Sequence, residues 1–175
     1  SNELHAVMQL MLFRYIFPDV HKVGVLYSEK YTGQWYKKAK DDAEEIGIGI
    51  IGQAVSEKNS IPALNKLLAD INAFWLISDP EIISGKKDLL EILKVCNTRK
   101  IPVFSYHEAF AELGAALTIS ADDYTIGRQS AGIVAEVLSD SKIDEKVQFP
   151  AGSHIIMNLR KVKEFGLQYS EDALG

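Results

Sequence analysis

The sequence predicts an α/β fold, a three-layer, doubly wound parallel sheet. Three observations predict it: short β-branched apolar runs recur along the chain, amphipathic helical stretches separate them, and Gly, Pro, Ser and Asp punctuate the junctions. Parallel neighbours need a crossover, and the crossover is right-handed, so such alternation lays helices on both faces of one sheet.

From Glu3 to Ile16 apolar residues return at helical spacing (Leu4, Val7, Met8, Met11, Leu12, Tyr15), and Pro18 stops the helix. Lys22 to Tyr27, reading Lys-Val-Gly-Val-Leu-Tyr, is a run of the kind buried on both faces of a parallel sheet. Polar turn residues, Ser28 to Gly33, lead into an amphipathic helix from Gln34 to Ile46 that Gly47 closes. A second strand, Ile48 to Val55, precedes a helix capped by Ser60, with Pro62 in its first turn, running to Asp70. Ala73 to Ile77 is the third strand, and Ser78-Asp79-Pro80 breaks it. After Ser84-Gly85 a helix from Lys86 to Asn97 leads to the strand Ile101 to Phe104. A fifth apolar stretch, Ala115 to Ile119, comes before Asp122-Asp123, which can cap a helix carrying Tyr124, Ile126, Ile133 and Val134. Ser139 to Glu145 is a polar connector; Val147 to Phe149 and His154 to Asn158 are extended pieces; Leu159 to Phe165 is a terminal helix closed by Gly166.

Composition excludes several classes. A length of 175 residues suits one core, and 47% hydrophobic with 25% charged residues is the balance of a chain that folds. The net charge is −5 with lysines and glutamates interspersed, so no surface tracks phosphates and nucleic acid is not an expected partner. The single cysteine, Cys96, sits in a helical pattern and reads as core packing. Apolar runs are too short to span a bilayer, and no secretory signal is visible. Ser1-Asn2 reads as what remains after tag cleavage, so the missing signal carries little weight.

In an open parallel sheet a ligand lies beyond the carboxyl ends of the strands, where loops converge and helix N-termini present free N–H groups. Those ends are Ser28 to Thr32, Ser78 to Glu81 and Ser105 to Glu108; each opens with serine, and together they add Tyr31, Asp79, Tyr106 and His107. Singly, each serine or aspartate reads as a helix cap; as a cluster they read as a site able to bond an amino group, a carboxylate or a ring. Phosphate loops, dinucleotide fingerprints, zinc-protease motifs and the serine-hydrolase elbow are missing. His107-Glu108 reads as a solvated turn, and His5, His21 and His154 are scattered, without metal-ligand spacing. Asp79 could suggest a receiver-domain phosphoacceptor, but the paired acidic residues that chemistry needs are absent from the first strand's end, Leu26-Tyr27-Ser28. Trp75 reads as core, and Trp35 as core with ligand stacking as the lesser reading. Gly114 and Gly127 are expected to permit close backbone approach.

Phe17-Pro18-Asp19-Val20-His21-Lys22-Val23-Gly24-Val25-Leu26-Tyr27-Ser28, Ile101-Pro102-Val103-Phe104, Gly114-Ala115-Ala116-Leu117, Asp123-Tyr124-Thr125-Ile126-Gly127-Arg128-Gln129-Ser130-Ala131, Met157-Asn158-Leu159 and Phe165-Gly166-Leu167 resemble, in order, the ABC transporter substrate-binding proteins of the tryptophan/tyrosine type. The resemblance implies a single lobe of a type I periplasmic binding protein-like fold: residues 1–112 as the α/β lobe, 113–142 as a strand-helix segment that crosses to the other lobe, and 143–175 as the return. It implies a non-catalytic solute-binding role with no cofactor, an ABC permease and ATPase as partners, a periplasmic or membrane-anchored extracytoplasmic location, and an aromatic or other hydrophobic amino acid as cargo. Matching ligand positions are Ser28, Tyr31, Thr32, Ser78, Asp79, Ser105 and Tyr106. A homodimer through residues 113–142 is expected to cover the exposed helix there. The rival readings are a regulatory sensor built on the same lobe and a doubly wound enzyme acting through Asp79 or His107.

Overall fold

The computed structural model describes residues 4–56, 59–138 and 152–174. In chain order the elements are α1 (Ala6–Ile16), β1 (Lys22–Tyr27), α2 (Gly33–Glu45), β2 (Gly49–Ala54), α3 (Ser60–Leu67), β3 (Ala73–Trp75), α4 (Lys86–Thr98), β4 (Val103–Ser105), α5 (Ala109–Glu112), β5 (Leu117–Ala121), α6 (Asp123–Leu138), β6 (Ser153–Met157) and α7 (Leu159–Phe165), with a terminal 3₁₀ turn at Glu171–Leu174. Among the described residues the sheet has six strands in the order β2-β1-β3-β4-β5-β6. Every neighbouring pair is parallel except β5 with β6. The expected parallel sheet thus carries an antiparallel edge strand, which an α/β sheet accommodates because an edge has one neighbour to satisfy.

Side chains alternate across the strands and build a core on each face. Phe13, Phe17, Val23, Val25, Trp75 and Phe104 pack on the face covered by α1, α2 and α7. Leu26, Leu64, Phe74, Leu76, Ile92 and Cys96 pack under α3 and α4 on the other. Neighbours Phe74 and Trp75 therefore point opposite ways, as the period of a strand requires. Trp75 is 1% exposed and meets the edge of Phe13 at 5.3 Å and Trp35 at 5.0 Å, so both tryptophans serve the core. The sheet's midline is close-packed at Gly24, where a Cβ would lie 2.6 Å from Ile71 Cδ1. Cys96 is fully buried, and that burial pushes its thiol up to about 12.

Several local expectations shift. α1 begins at Ala6 rather than Glu3, with the His5 ring accepting the Val7 N–H at 3.3 Å. Ser60 is the first helical residue rather than the cap of α3: Asn59 occupies the cap position, and the Ser60 hydroxyl donates to the Ile82 carbonyl at 3.5 Å. That helix ends at Leu67, and a turn carries the chain to Asp70. Strands β3, β4 and β5 differ from the expected limits by about two residues. Gly114 is explained by its backbone, φ 115°, rather than by crowding, and at Gly127 a Cβ would meet nothing within 4 Å. The connector Ser139 to Glu145 and the extended piece Val147 to Phe149 lie outside the described residues. Within 113–142, β5 is built into this sheet between β4 and β6, whereas the described residues of α6 include no buried side chain.

Candidate ligand-binding site

Because β1, β3 and β4 are parallel, their carboxyl ends and the loops that follow share one rim. From β1 the chain moves outward to β2, then returns to place β3 on the other side of β1. The order of winding reverses there, the point of an open α/β sheet at which ligands commonly bind.

Asp79 ties the loops after β1 and β3 together. Its Oδ2 accepts from the Ser28 N–H at 3.0 Å, the Ser28 hydroxyl at 2.7 Å and the Thr32 hydroxyl at 2.5 Å, while Oδ1 accepts the Glu81 N–H at 2.9 Å. Ser28 Oγ in turn accepts the Tyr31 N–H at 3.3 Å, so one carboxylate organises both loops. Burial raises the cost of charging Asp79, which is 2% exposed. The hydrogen bonds from Thr32, Ser28 and the backbone outweigh it and hold the carboxyl below its ordinary range. An ionised acceptor surrounded by donors is a weak base, and its hydrogen bonds hold the two loops together.

The third serine serves a different joint. Ser105 is buried, its hydroxyl 2.8 Å from that of Thr118 on β5, which fastens β4 to β5 beneath the rim. Above it Tyr106 meets the edge of Phe110 at 5.3 Å and His107 tilts against the same ring at 5.4 Å. The His107 Nδ1 accepts the Ala109 N–H at 3.2 Å and so starts α5, a helix too short for any periodic signal in sequence. Glu108 approaches His154 of β6 at 3.4 Å, with both side chains exposed.

The expected ligand positions therefore separate by environment. Ser28, Asp79 and Ser105 are buried and hydrogen-bonded within the protein; Thr32 and Tyr106 are half-buried; Tyr31, 51% exposed, and Ser78 face solvent. Sequence reasoning missed Thr118 and Phe110 and set His154 aside as scattered; strand register and a short helix, rather than any motif, bring them to the rim or just beneath it. A cleft of about 220 Å³ between α3 and α4 touches the rim through Glu81 and Ile82. Larger clefts, of about 500 and 350 Å³, lie beside α1 and α7. Among the described residues, no three His, Cys, Asp or Glu side chains are grouped to hold a metal ion, and no helix is long and apolar enough to cross a membrane.

The sequence model of the family described as ABC transporter substrate binding protein matches residues 1–175. No curated protein matches the chain. Among solved structures, a conserved domain protein from Vibrio cholerae is similar at TM-score 0.76 and 22% identity, covering 99% of this chain and 59% of that one. An ABC domain from Streptococcus pneumoniae, in complex with L-Trp, is similar at TM-score 0.73 and 23% identity, covering 98% and 60%. A ligand-free, open substrate-binding protein with adhesive properties from Clostridium difficile is similar at TM-score 0.69 and 19% identity, covering 93% and 56%. The chain spans about three fifths of the length of these structures, and at such identities they share its fold.

Proposed function

We propose the following role for this chain, which belongs to the ABC transporter substrate-binding protein family: it is one wall of a solute receptor that grips a small molecule at the carboxyl ends of β1, β3 and β4 and presents it to an ABC permease and its ATPase. The observation that carries this reading is the Asp79 network at the winding reversal, which fixes the loops after β1 and β3. Tyr31, Ser78 and Tyr106 meet the ligand; Ser28, Thr32, Asp79 and Ser105 hold those contacts in place. Such a division suits binding, where affinity rises when the contacting loops need no ordering.

The cargo on this reading is an aromatic or other hydrophobic amino acid, recognised by the tyrosines on the rim. L-Trp in the Streptococcus structure supports that class. On this reading residues 1–112, with β5 and the return through β6 and α7, form this wall, and α6 leads toward an opposing one. The exposed side chains of α6, Tyr124 at 73% and Val134 at 56%, are then covered by that wall or by a second copy of the chain. Closing the two walls on the solute about a hinge buries most of it and breaks no bond. The protein works outside the cytoplasmic membrane, exported or anchored, as delivery to an importer requires.

The test is calorimetry on the full-length protein with L-Trp, L-Tyr and L-Leu, beside thermal shift against sugars and nucleosides, since a ligand of the folded state raises the melting temperature. Tyr31→Ala and Tyr106→Ala should each weaken the binding by about tenfold, with little change in stability for Tyr31→Ala and a loss of about 1 kcal/mol for Tyr106→Ala, which gives up its edge contact with Phe110. Binding of a sugar or nucleoside in place of every amino acid would overturn the cargo, and unchanged affinity in both variants would overturn the site. Light scattering separates the two ways of covering α6: a monomeric mass rules out the second copy.

A further inference from the structure

Among the described residues strand β2 ends the sheet, with β1 on one side and no strand on the other. The N–H groups of Gly49 and Val55 donate to His21 and Tyr27 on the β1 side, at 2.8 Å each. Backbone groups alternate along a strand, so those of Ile50, Gly52 and Ala54 point away from the sheet. A free edge of this kind is a template for another strand, and β2, reading Gly-Ile-Ile-Gly-Gln-Ala, carries no charge and no proline to discourage one.

Side chains occupy part of that edge. The outward N–H of Gly52 donates to the Tyr36 hydroxyl at 3.0 Å, and Gln53 Nε2 donates to the outward Ala54 carbonyl at 3.2 Å. Tyr36, in the first turns of α2, is held flat against Tyr27 with ring centroids 4.2 Å apart and planes 10° from parallel. Gly52 makes the arrangement possible, because a Cβ there would fall 2.2 Å from the Tyr36 ring. Ring, hydroxyl and glycine thus fit one another at the middle of the strand.

We propose that Tyr36 guards this edge: its ring and hydroxyl occupy the central hydrogen-bonding position of β2 and keep a second copy of the chain from adding its own β2 there. A second copy is the partner to exclude, because its β2 offers the same outward groups at the same spacing. A twofold axis passing by Gly52 would pair them antiparallel. The device is independent of the ligand reading, since it concerns the edge of the sheet and none of the residues assigned to the solute.

The experiment uses the full-length protein and the variants Tyr36→Phe and Tyr36→Ala. Tyr36→Phe keeps the stacked ring and removes only the acceptor, so the Gly52 amide should exchange with solvent about tenfold faster, the scale of one hydrogen bond, while Ile51, which faces β1, is unchanged. Tyr36→Ala opens the edge and should give a mass by light scattering that rises with concentration above that of the parent. Adding Ala54→Pro, which deletes an outward N–H at an exposed edge position, should return the parent mass. Unaltered Gly52 exchange in Tyr36→Phe, a parental mass for Tyr36→Ala, or association that survives Ala54→Pro would each overturn the proposal.

Discussion

Replacing Asp79 tests the central joint of the rim. In Asp79→Ala the Ser28 and Thr32 hydroxyls and the Glu81 N–H lose their acceptor at a position that is 2% exposed. A hydrogen bond to a charged group contributes about 1.5–3 kcal/mol, but the terms do not add here. The Ser28 N–H keeps a second acceptor in Thr32 Oγ1 at 3.1 Å, and the Thr32 hydroxyl can turn to the Ser28 carbonyl at 3.4 Å. A loss of about 3 kcal/mol follows, or roughly 6–12 °C in melting temperature for a chain of this size. Asp79→Asn retains one acceptor oxygen and should lose about 1–2 kcal/mol. The acid dependence carries a sign. The folded Asp79 titrates below its unfolded value, so its contribution is complete above the unfolded pKa, about 4, and is lost as pH falls through the folded one. The gap between parent and Asp79→Asn should therefore hold from pH 7 to about 5 and shrink below about 4. Urea unfolding followed by tryptophan fluorescence measures both effects. A penalty under about 0.5 kcal/mol for the alanine variant, or a gap that stays constant to about pH 2, would refute the network as described.

Packing and thiol chemistry give two further tests. Gly24→Ala should cost about 1–3 kcal/mol by pressing on Ile71, and Ile71→Val, which deletes the Cδ1 atom 2.6 Å from the new Cβ, should recover part of it; purely additive denaturation energies would show that the two do not meet. Cys96, with its thiol pushed up to about 12 in the buried face of α4, should resist a disulfide reagent at pH 8 until the protein unfolds; full labelling of the native protein within the mixing time would place the thiol at the surface.

Much of the fold was legible because it rests on local patterns. Lys22 to Tyr27 reads as a doubly buried strand, and the stretch from Gln34 to Ile46 as a helix stopped by Gly47, since apolar spacing and punctuation are written residue by residue. The site was legible only as far as chain order allows. Serine at three strand ends marks the rim, yet the same letter stands for three environments: Ser28 bonded to Asp79, Ser105 bonded to Thr118, and Ser78 in solvent.

The difference has a physical cause. Helical and strand periodicity arises from backbone geometry within one segment, so the sequence by itself determined the α/β class, the positions of most elements and the end of the sheet at which the loops gather. Which strands are neighbours, which way β6 runs, and that Asp79 lies within hydrogen-bonding reach of Ser28, fifty-one residues earlier, depend on how separate segments share one sheet. Tertiary packing alone decided those, because the energy of a contact between distant residues exists only once both have been brought to the same place.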